Sequence, residues 1–536
     1  MIDLTANRRM FLQSLAAAIG STAGLKGHPR KVDRADQCCD IRTTAAIFHK
    51  SQLEQPHPSN GDERLWPGGA ASFSKALLHD AHGEPLPGMY ARLVRALQSG
   101  SFDELESVLL GGPVKLSNPL AQNAFELEGP DSHQVGMAAP PSFSSPEQGG
   151  EMVELYRQAI TRDIPFSEWK RHETIAEAAG DLTVREDFRG PKVGGRVTAQ
   201  TLFRIAAPGV LDGPYVSQFL LVPVPYGGQS MEQRYRVPTL GRNFGVRYKD
   251  CLALQNGLMT MEEVEYETFP RYLATQRGLA GFVHRDYTFQ AFLSAALILS
   301  QFGPAALSDT NPYKRSRTQV GFATFGEPQV IDCMARAANA SLKAAWFQKW
   351  LVHRRIRPEE FAFRIHEASA GRARYPLAAD LAKSAAFGVI QSSSGGLLLP
   401  LAYPEGCPID PSYPAGHAVI AGACSTMLKA FFNEEFEIPN PVVGDADGGA
   451  LIPCGETLTV AGELNKLAAN LAMARNAAGV HWRSDSEQGI RLGEAVALGL
   501  LRDIAATGTE PFRGFRVTTF DGKKVTVEVP SQEVGQ

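Results

Sequence analysis

The chain has 536 residues, of which 44% are hydrophobic and 21% charged, with a formal net charge of -4. This is the composition of an ordinary globular protein long enough to bury a large core. The mildly acidic balance argues against nucleic acid and anionic membrane as partners, and no segment reaches the roughly 18 uninterrupted apolar residues that a membrane span needs.

The N-terminus has the features of an export signal. Arg8 and Arg9 precede Phe11, Leu12 and a short, weakly apolar run, which is typical of a Tat-type signal. A basic N-terminal helix is the alternative interpretation. We therefore expect residues 1–24 to be a signal segment and the protein to be exported to the periplasm or the exterior.

Residues 25–110 are predicted to form an N-terminal arm and short helices. The stretch from about 25 to 70 is polar, rich in Pro and Gly and of little periodicity, so we expect an extended arm or a partly ordered lead-in. Short amphipathic helices are predicted at 74–80, 88–98 and 102–110. The first long helix is predicted to begin at 151, and segments 181–185 and 219–225 are predicted to be short strands or irregular.

The remainder of the chain is dominated by long apolar helices. They are predicted at 289–302, 327–352, 417–433, 459–475 and 484–505, and their near-continuous apolarity indicates a buried bundle. An alternating pattern around Asp521-Gly522 predicts a β-hairpin in 506–536. We expect an all-α multi-helix bundle over 111–505 with a small C-terminal β-hairpin.

Three segments of the last third combine cations, histidines and a glycine. They contain Lys349 with Arg357, then Tyr413-Pro414-Ala415-Gly416-His417, then Arg475 with His481. Any one of them alone is ordinarily a solvated basic stretch or a turn. Because three cations in one cavity would repel one another strongly without an anion, the set together suits a tetrahedral or trigonal-bipyramidal oxyanion.

The residue types fit anion binding in different ways. Arg357 offers a planar fork for two oxygens, and Lys349 offers a compact charge. The two lie about two helical turns apart, so they share one side if the helix persists to Pro358, although proline favours a bend. Gly416 precedes an apolar helix, where backbone N–H groups can approach an anion.

In these segments the chain resembles the vanadium-dependent haloperoxidases. That family shares its fold and anion site with the type 2 phosphatidic acid phosphatases and the bacterial acid phosphatases. Seven residues separate Lys349 from Arg357, as in the algal bromoperoxidase branch, whereas the general pattern has six. Segments such as Arg285-Asp286-Tyr287 and Tyr403-Pro404-Glu405-Gly406 also resemble that branch, and the similarity extends over 116–501.

The resemblance implies a cofactor, reactants and roles, with the active site in 343–490. Vanadate is the implied cofactor. Hydrogen peroxide, a halide (bromide first) and a small organic acceptor are the implied reactants. The resemblance also implies a homo-oligomer, a dimer or larger. His481 is the implied vanadium ligand. The groups implied to hold vanadate oxygens are Lys349, Arg357, Gly416 and Arg475. His417 is the implied acid–base residue, and Lys349 is implied to polarise the peroxide. Asp485 is expected either to accept a hydrogen bond behind the site or to cap a helix.

Two positions depart from the family pattern. Ala415 stands where the family usually has a serine, and loss of that hydroxyl donor is expected to cost about 1–3 kcal/mol if an anion oxygen is left unpaired. Asp410 stands where the algal branch has a histidine, seven residues before His417. Its carboxylate brings negative charge to the site and is expected to repel halide.

Two other functions use the same residues. In a phosphatase, His481 attacks phosphorus to give a phosphohistidine, and His417 protonates the leaving group. Asp410 and Ala415 keep this alternative open. The third possibility is a catalytically silent scaffold or an anion-binding oligomer.

Overall fold

The computed structural model describes residues 33–260 and 262–529, and the chain divides into two units, residues 1–50 and 51–536. The predicted signal, 1–24, lies outside the described residues. Helix α1 (Arg34–Ser51) lies where an extended arm was expected, so that expectation was wrong. The helix begins after Asp33, whose carboxylate accepts a hydrogen bond from the Ala35 amide. Its side chains form no apolar stripe, which is the signal that periodicity detects.

The described part of the second unit is mainly helical. Before the predicted bundle it contains α2 (Asp62–Leu65), α3 (Met89–Ser99), α4 (Phe102–Glu106), α5 (Pro146–Thr161), α6 (Glu173–Thr183), α7 (Tyr248–Gln255) and α8 (Gln276–Arg285). Further along lie α9 (Gln290–Gln301), α10 (Glu327–Trp346), α11 (Pro358–Ser369), α12 (Ala385–Ser394), α13 (Gly416–Phe431), α14 (Val460–Ala477) and α15 (Arg483–Ala505). The five long helices that apolarity predicted are all present. None of the described helices is long and apolar enough to cross a bilayer.

Helix α13 is the centre of the bundle and packs against α10, α14 and α15. From Ala418 to Phe431 every residue of this helix is buried. Two glycines bring the backbones of α13 and α15 together, because a Cβ at Gly422 would overlap the Ile490 carbonyl and one at Gly493 would overlap the Val419 carbonyl. This crossing lies one to two turns inside the bundle from the start of α13.

The chain breaks between α10 and α11. A π-helical turn (Phe347–His353) extends α10, and Arg354 then adopts a left-handed conformation with φ 38°. Arg354 is held there by Glu63, whose Oε2 lies 2.8 Å from Nη2. Arg357 is extended, as residues before proline prefer, and Pro358 begins α11. The condition that one helix persists from Lys349 to Pro358 is therefore not met, and the chain bends before the proline.

Other short elements were predicted with mixed success. The helix at 88–98 is confirmed as α3, and that at 102–110 is reduced to α4. Segment 74–80 is not helical, since Ala76 has φ 74° and Leu77 forms a β-bridge with Leu110. The end of α6 covers 181–183, where a strand or irregular segment was expected. Short 3-10 turns complete this unit at Pro119–Asn123, Ser132–Gln134, Phe166–Glu168, Gln218–Leu220, Pro304–Ala306 and Leu381–Lys383.

Three antiparallel hairpins supply the described strands. They pair β1 (Val224–Tyr226) with β2 (Gln229–Met231), β3 (Val442–Gly444) with β4 (Leu451–Pro453), and β5 (Gly514–Thr518) with β6 (Lys524–Glu528). The last is the predicted C-terminal hairpin, with Gly514 opposite Glu528 and Gly522 at φ 78° in its turn. The all-α bundle with a small C-terminal β-hairpin is therefore confirmed.

Candidate active site

A buried polar cluster forms where the end of α10, the loop before α13 and the start of α15 meet. Its members come from sequence segments far apart, and each is at most 5% exposed: Lys349, Arg357, Asp410, His481 and Asp485. The loop is tied to α15 by the Ala415 amide, which donates to the Asp485 carbonyl at 3.0 Å. The α13–α15 crossing thus places the predicted anion-binding segments side by side.

Asp410 bridges two of the predicted anion-binding cations. Its Oδ1 lies 2.7 Å from Nζ of Lys349 and 2.8 Å from Nη2 of Arg357. Burial raises the pKa of Asp410, but the charges of Lys349 and Arg357 lower it by more, so the pKa lies below its ordinary value. Burial lowers the pKa of Lys349 to about 8, and Asp410 opposes that shift. Asp410 therefore supplies the negative charge that these cations require.

His481 is held in one tautomer. Its Nδ1 lies 2.9 Å from Oδ2 of Asp485, and its Nε2 lies 3.0 Å from Nη1 of Arg357. Because a guanidinium only donates, Nε2 accepts, which assigns the ring hydrogen to Nδ1. Burial, followed by the charge of Arg357, holds the pKa of His481 well below its ordinary value. A neutral imidazole with a lone pair on Nε2 is the form that ligates a metal centre.

Asp485 performs both of the roles considered for it. Besides His481, its Oδ2 accepts the Trp482 amide at 2.9 Å, which caps α15, and it accepts the Ser412 hydroxyl. Its Oδ1 accepts Nη1 of Arg355 at 2.8 Å. Burial raises the pKa of Asp485, but Arg355 and the His481 hydrogen bond outweigh it, so the pKa lies below its ordinary value. Arg355 and Ser412 were not predicted as site residues.

His417 contacts a different carboxylate. It is the second residue of α13, its side chain is 28% exposed, and its Nε2 lies 3.0 Å from Oδ1 of the buried Asp286. The sequence placed Asp286 in a segment that resembles the family but gave it no role. The two residues are 131 positions apart, so no local spacing indicated the pair.

Arg475, near the end of α14, has other partners. Its Nη1 donates to the Val283 carbonyl at 3.0 Å and to the Tyr403 hydroxyl at 3.3 Å. Among the described residues, its buried Nε has no hydrogen-bond partner. No ion pair joins Arg475 to Asp410 within that part of the chain. One cation of the predicted set therefore retains an unused donor.

Gly416 is the first residue of α13, and Ala415 is its N-cap without a side-chain hydrogen bond. The first N–H groups of a helix have no acceptor within the helix. A Cβ at Gly416 would lie 3.5 Å from the Trp346 ring, which is ordinary contact. Packing alone therefore does not require glycine here.

These residues fit a vanadate ion. The donor set contains a neutral histidine whose Nε2 lone pair accepts from Arg357, buried cations, an unused guanidinium nitrogen on Arg475 and a helix N-terminus, all suited to a metal oxyanion. Asp410 is the member that opposes this fit, since it occupies donors of Lys349 and Arg357.

Comparisons with known proteins point to one family. The family model described as the VCPO second helical-bundle domain matches residues 331–505. The vanadium-dependent bromoperoxidase of Corallina pilulifera is 33% identical, over 92% of this chain and 98% of its own length. That of Ascophyllum nodosum is 31% identical, over 93% of this chain and 92% of its own length. The structure of a second, homohexameric vanadate-dependent bromoperoxidase of Ascophyllum nodosum is 29% identical with a TM-score of 0.86, and the match covers 95% of each chain. The chain belongs to the vanadium-dependent bromoperoxidase family.

Proposed function

We propose that the protein is a vanadate-dependent haloperoxidase that uses hydrogen peroxide to oxidise halide, bromide first, to a hypohalous acid equivalent that halogenates organic acceptors. The observation that carries the proposal is the neutral His481, fixed by Asp485, beside the cations Lys349 and Arg357. The family membership supports the same activity and does not favour the phosphatase alternative.

Each site residue has a function in holding the cofactor. His481 would ligate vanadium through Nε2, and the vanadate oxygens would be held by Lys349, Arg357, the Gly416 amide and Arg475. When bound, vanadate supplies a Lewis acid that activates hydrogen peroxide toward attack by halide. Asp485 fixes the orientation of the His481 ring, and Arg355 fixes Asp485 in turn.

His417 is the residue that moves a proton. An ionised Asp286 only accepts hydrogen bonds, so Nε2 of His417 carries the hydrogen that points to it. Nδ1 is then the ring atom that takes a proton from the incoming peroxide. The partial exposure of His417 lets reactants reach it, whereas His481 is buried. Asp286 acts through His417 and is a positioning residue.

Lys349 supplies a fixed positive charge to the cluster. Its Nζ donates to the Pro411 carbonyl as well as to Asp410, so the ammonium is fixed by two anchors. A fixed, buried ammonium stabilises negative charge that develops on a bound oxygen more than a mobile surface lysine does.

Assembly and export are further parts of the proposal. The Ascophyllum nodosum relative is homohexameric, which supports a homo-oligomer here. Light scattering coupled to size-exclusion chromatography measures the subunit number. For export, residues 1–24 fused to a reporter are expected to direct it out of the cytoplasm, and Arg8→Lys with Arg9→Lys is expected to retain it.

The activity is tested with protein stripped of metal by a chelator. We expect bromination of a chromogenic phenol to require added vanadate and to be lost in His481→Ala. His79→Ala, which removes a buried histidine bonded to Ser74 and Leu77, controls for general destabilisation. A phosphate ester is offered to the same preparations.

Each outcome assigns a function. Hydrolysis of the ester that vanadate inhibits, without halide oxidation, would establish the phosphatase. Absence of both activities with no vanadate binding would establish the scaffold.

A further inference from the structure

A polar cavity of about 580 Å³ lies beside the candidate active site. We call it the arginine cavity. The lining residues used below are Arg236, Glu262, Glu263, Tyr266, His284, Arg285 and Glu405.

The arginine cavity is adjacent to the site on two sides. Arg285 directly precedes Asp286, the partner of His417. His284 stacks on the Tyr403 ring, with the centroids 4.0 Å apart and the planes 10° apart. The Tyr403 hydroxyl in turn accepts a hydrogen bond from Arg475. The cavity wall is therefore joined to Asp286 directly along the chain and to Arg475 through the Tyr403 side chain.

The cavity offers two guanidinium groups without carboxylate partners. Arg236 lies 4.6 Å and Arg285 lies 5.3 Å from the centroid of the Tyr266 ring. Within the described residues, neither forms a salt bridge, and cation–π contact leaves the N–H edges of a guanidinium available.

The acidic residues around the cavity are mostly engaged elsewhere. Glu405 pairs with Nε2 of His284, and Glu262 lies 2.8 Å from Nη2 of Arg247. Glu263 is the remaining carboxylate of the lining. The lining carries three carboxylates and two guanidiniums, but Glu405 and Glu262 have partners of their own, so the open N–H edges of Arg236 and Arg285 are local donors for an anionic group. Both guanidiniums lie against the Tyr266 ring.

We propose that the arginine cavity binds the organic acceptor, and that it favours an electron-rich aromatic ring carrying a carboxylate or sulfonate. This inference rests on the proposed haloperoxidase function. The reaction it places there is substitution on the ring by the oxidised halogen. Hypobromous acid and an aryl C–H bond give an aryl C–Br bond and water, the ring proton combining with the hydroxide released from bromine.

The acceptor site is tested by competition under bromination. Vanadate-loaded protein receives equal amounts of 4-hydroxybenzoate and 4-hydroxybenzamide, which differ in charge, and the ratio of the two brominated products is measured. Reagent hypobromous acid in the same buffer gives the ratio for reaction free in solution. A product ratio from one mixture does not depend on the overall rate of halide oxidation.

We expect the protein to favour the anionic phenol by about fivefold over the reagent ratio, the size of an ion pair at a partly exposed site. In Arg236→Gln/Arg285→Gln the ratio is expected to return to the reagent value. Arg234→Gln is the matched control, since Arg234 is an exposed arginine 4.5 Å from the Tyr272 ring and is absent from the cavity lining. This control is expected to keep the ratio of the unmodified protein.

A second measurement separates this inference from the proposed function. Equilibrium dialysis of 4-hydroxybenzoate against the protein without peroxide reports binding whether or not halide is oxidised. Loss of binding in the double variant, with retention in Arg234→Gln, supports the site. A product ratio equal to that of the reagent, or equal binding by the unmodified protein and the double variant, overturns it. Absence of halide oxidation overturns the proposed function and leaves the dialysis result to decide on the cavity.

Discussion

Oδ1 of Asp410 lies 2.7 Å from Nζ of Lys349, in the position from which a carboxylate competes with a bound anion for the same cation. The same oxygen lies 2.8 Å from Arg357, so one acidic side chain occupies donors on two of the three cations implied to hold vanadate. Loss of this charge is therefore expected to destabilise the protein without an anion and to strengthen anion binding.

For Asp410→Asn we expect tighter binding of both vanadate and inorganic phosphate, by about tenfold, which corresponds to ~1.4 kcal/mol. Without an anion the variant is expected to lose about 3 kcal/mol of unfolding free energy, because two buried cations lack their partner, and phosphate is expected to restore much of it. Equilibrium dialysis and urea unfolding measure these effects. Asp181→Asn, which removes a carboxylate paired with buried Arg157, is the control. Unchanged or weaker anion binding by Asp410→Asn would show that Asp410 does not compete.

Ala415→Ser restores a hydroxyl at the N-cap of α13. Ala415 makes no side-chain cap bond there, and a serine at this position stabilises a helix by about 1 kcal/mol. We expect a higher unfolding free energy and tighter vanadate binding. Ala415→Gly adds no donor, so it is expected to leave vanadate affinity unchanged, although glycine is also a better N-cap than alanine and gains part of the stability. Urea unfolding and dialysis against vanadate test both effects, and equal vanadate affinity in the serine and glycine variants would contradict the second.

Asp286→Asn is expected to lower kcat for bromide oxidation by about tenfold or more, because an amide replaces the carboxylate that orients the His417 ring. Vanadate affinity is expected to change little, since His481 lies in a separate hydrogen-bonded group. Steady-state kinetics with saturating vanadate separate kcat from KM for peroxide. Asp286→Glu, which retains a carboxylate, is expected to recover part of kcat. A parallel loss of vanadate affinity would assign Asp286 a structural role instead.

Asp485→Asn is expected to weaken vanadate binding by about 10- to 100-fold, since the His481 ring loses its ionised acceptor. Non-covalent phosphate binding depends on the cations more than on the ring nitrogen, so it is expected to fall less. The ratio of the two dissociation constants is the decisive measurement. If both anions lose affinity equally, Asp485 supports the whole cluster and does not act through His481.

His79 is expected to make the protein less stable as the pH falls. Burial, with a contribution from Arg364, lowers the pKa of His79 to about 4 from its ordinary value of 6.5. The unfolded chain therefore binds the proton more tightly, so the stability contributed by neutral His79 is complete above pH 6.5 and is lost as the pH falls toward 4. Between pH 7 and pH 4.5 this one group accounts for a loss of about 2.5 kcal/mol.

His79→Gln keeps hydrogen-bonding groups but does not titrate, so its unfolding free energy is expected to fall less over the same interval. His133→Gln changes a half-exposed histidine and serves as the control. Urea unfolding at the two pH values tests the difference. An identical fall in the unmodified protein and His79→Gln would contradict the assignment.

Sequence reasoning predicted what depends on composition and local pattern. The long apolar helices and the hairpin around Asp521-Gly522 were predicted because burial and turn chemistry are local signals. Helix α1 was missed because it has no apolar stripe. The left-handed conformation of Arg354 was not predicted, because its guanidinium is held by Glu63, nearly three hundred residues away in the chain.

Some of the predicted site residues lie together, but their pairings were not predicted. Lys349, Arg357, Asp410, His481 and Asp485 form one hydrogen-bonded cluster, whereas the described partners of His417 and Arg475 lie outside it. The contacts of Asp286 with His417 and of Arg355 with Asp485 join distant parts of the chain, so no spacing specified them. Such pairs are fixed only by the packing of the bundle.

The backbone contact between α13 and α15 at Gly422 and Gly493 limits how this site can change. Because the two backbones are in direct contact there, any larger residue at Gly422 or Gly493 would overlap the facing helix. The starts of both helices are thereby kept at a set separation, whatever anion they bind. Residues of the loop before α13 can change without altering that separation. Asp410 and Ala415, the two positions that depart from the family pattern, both lie in that loop.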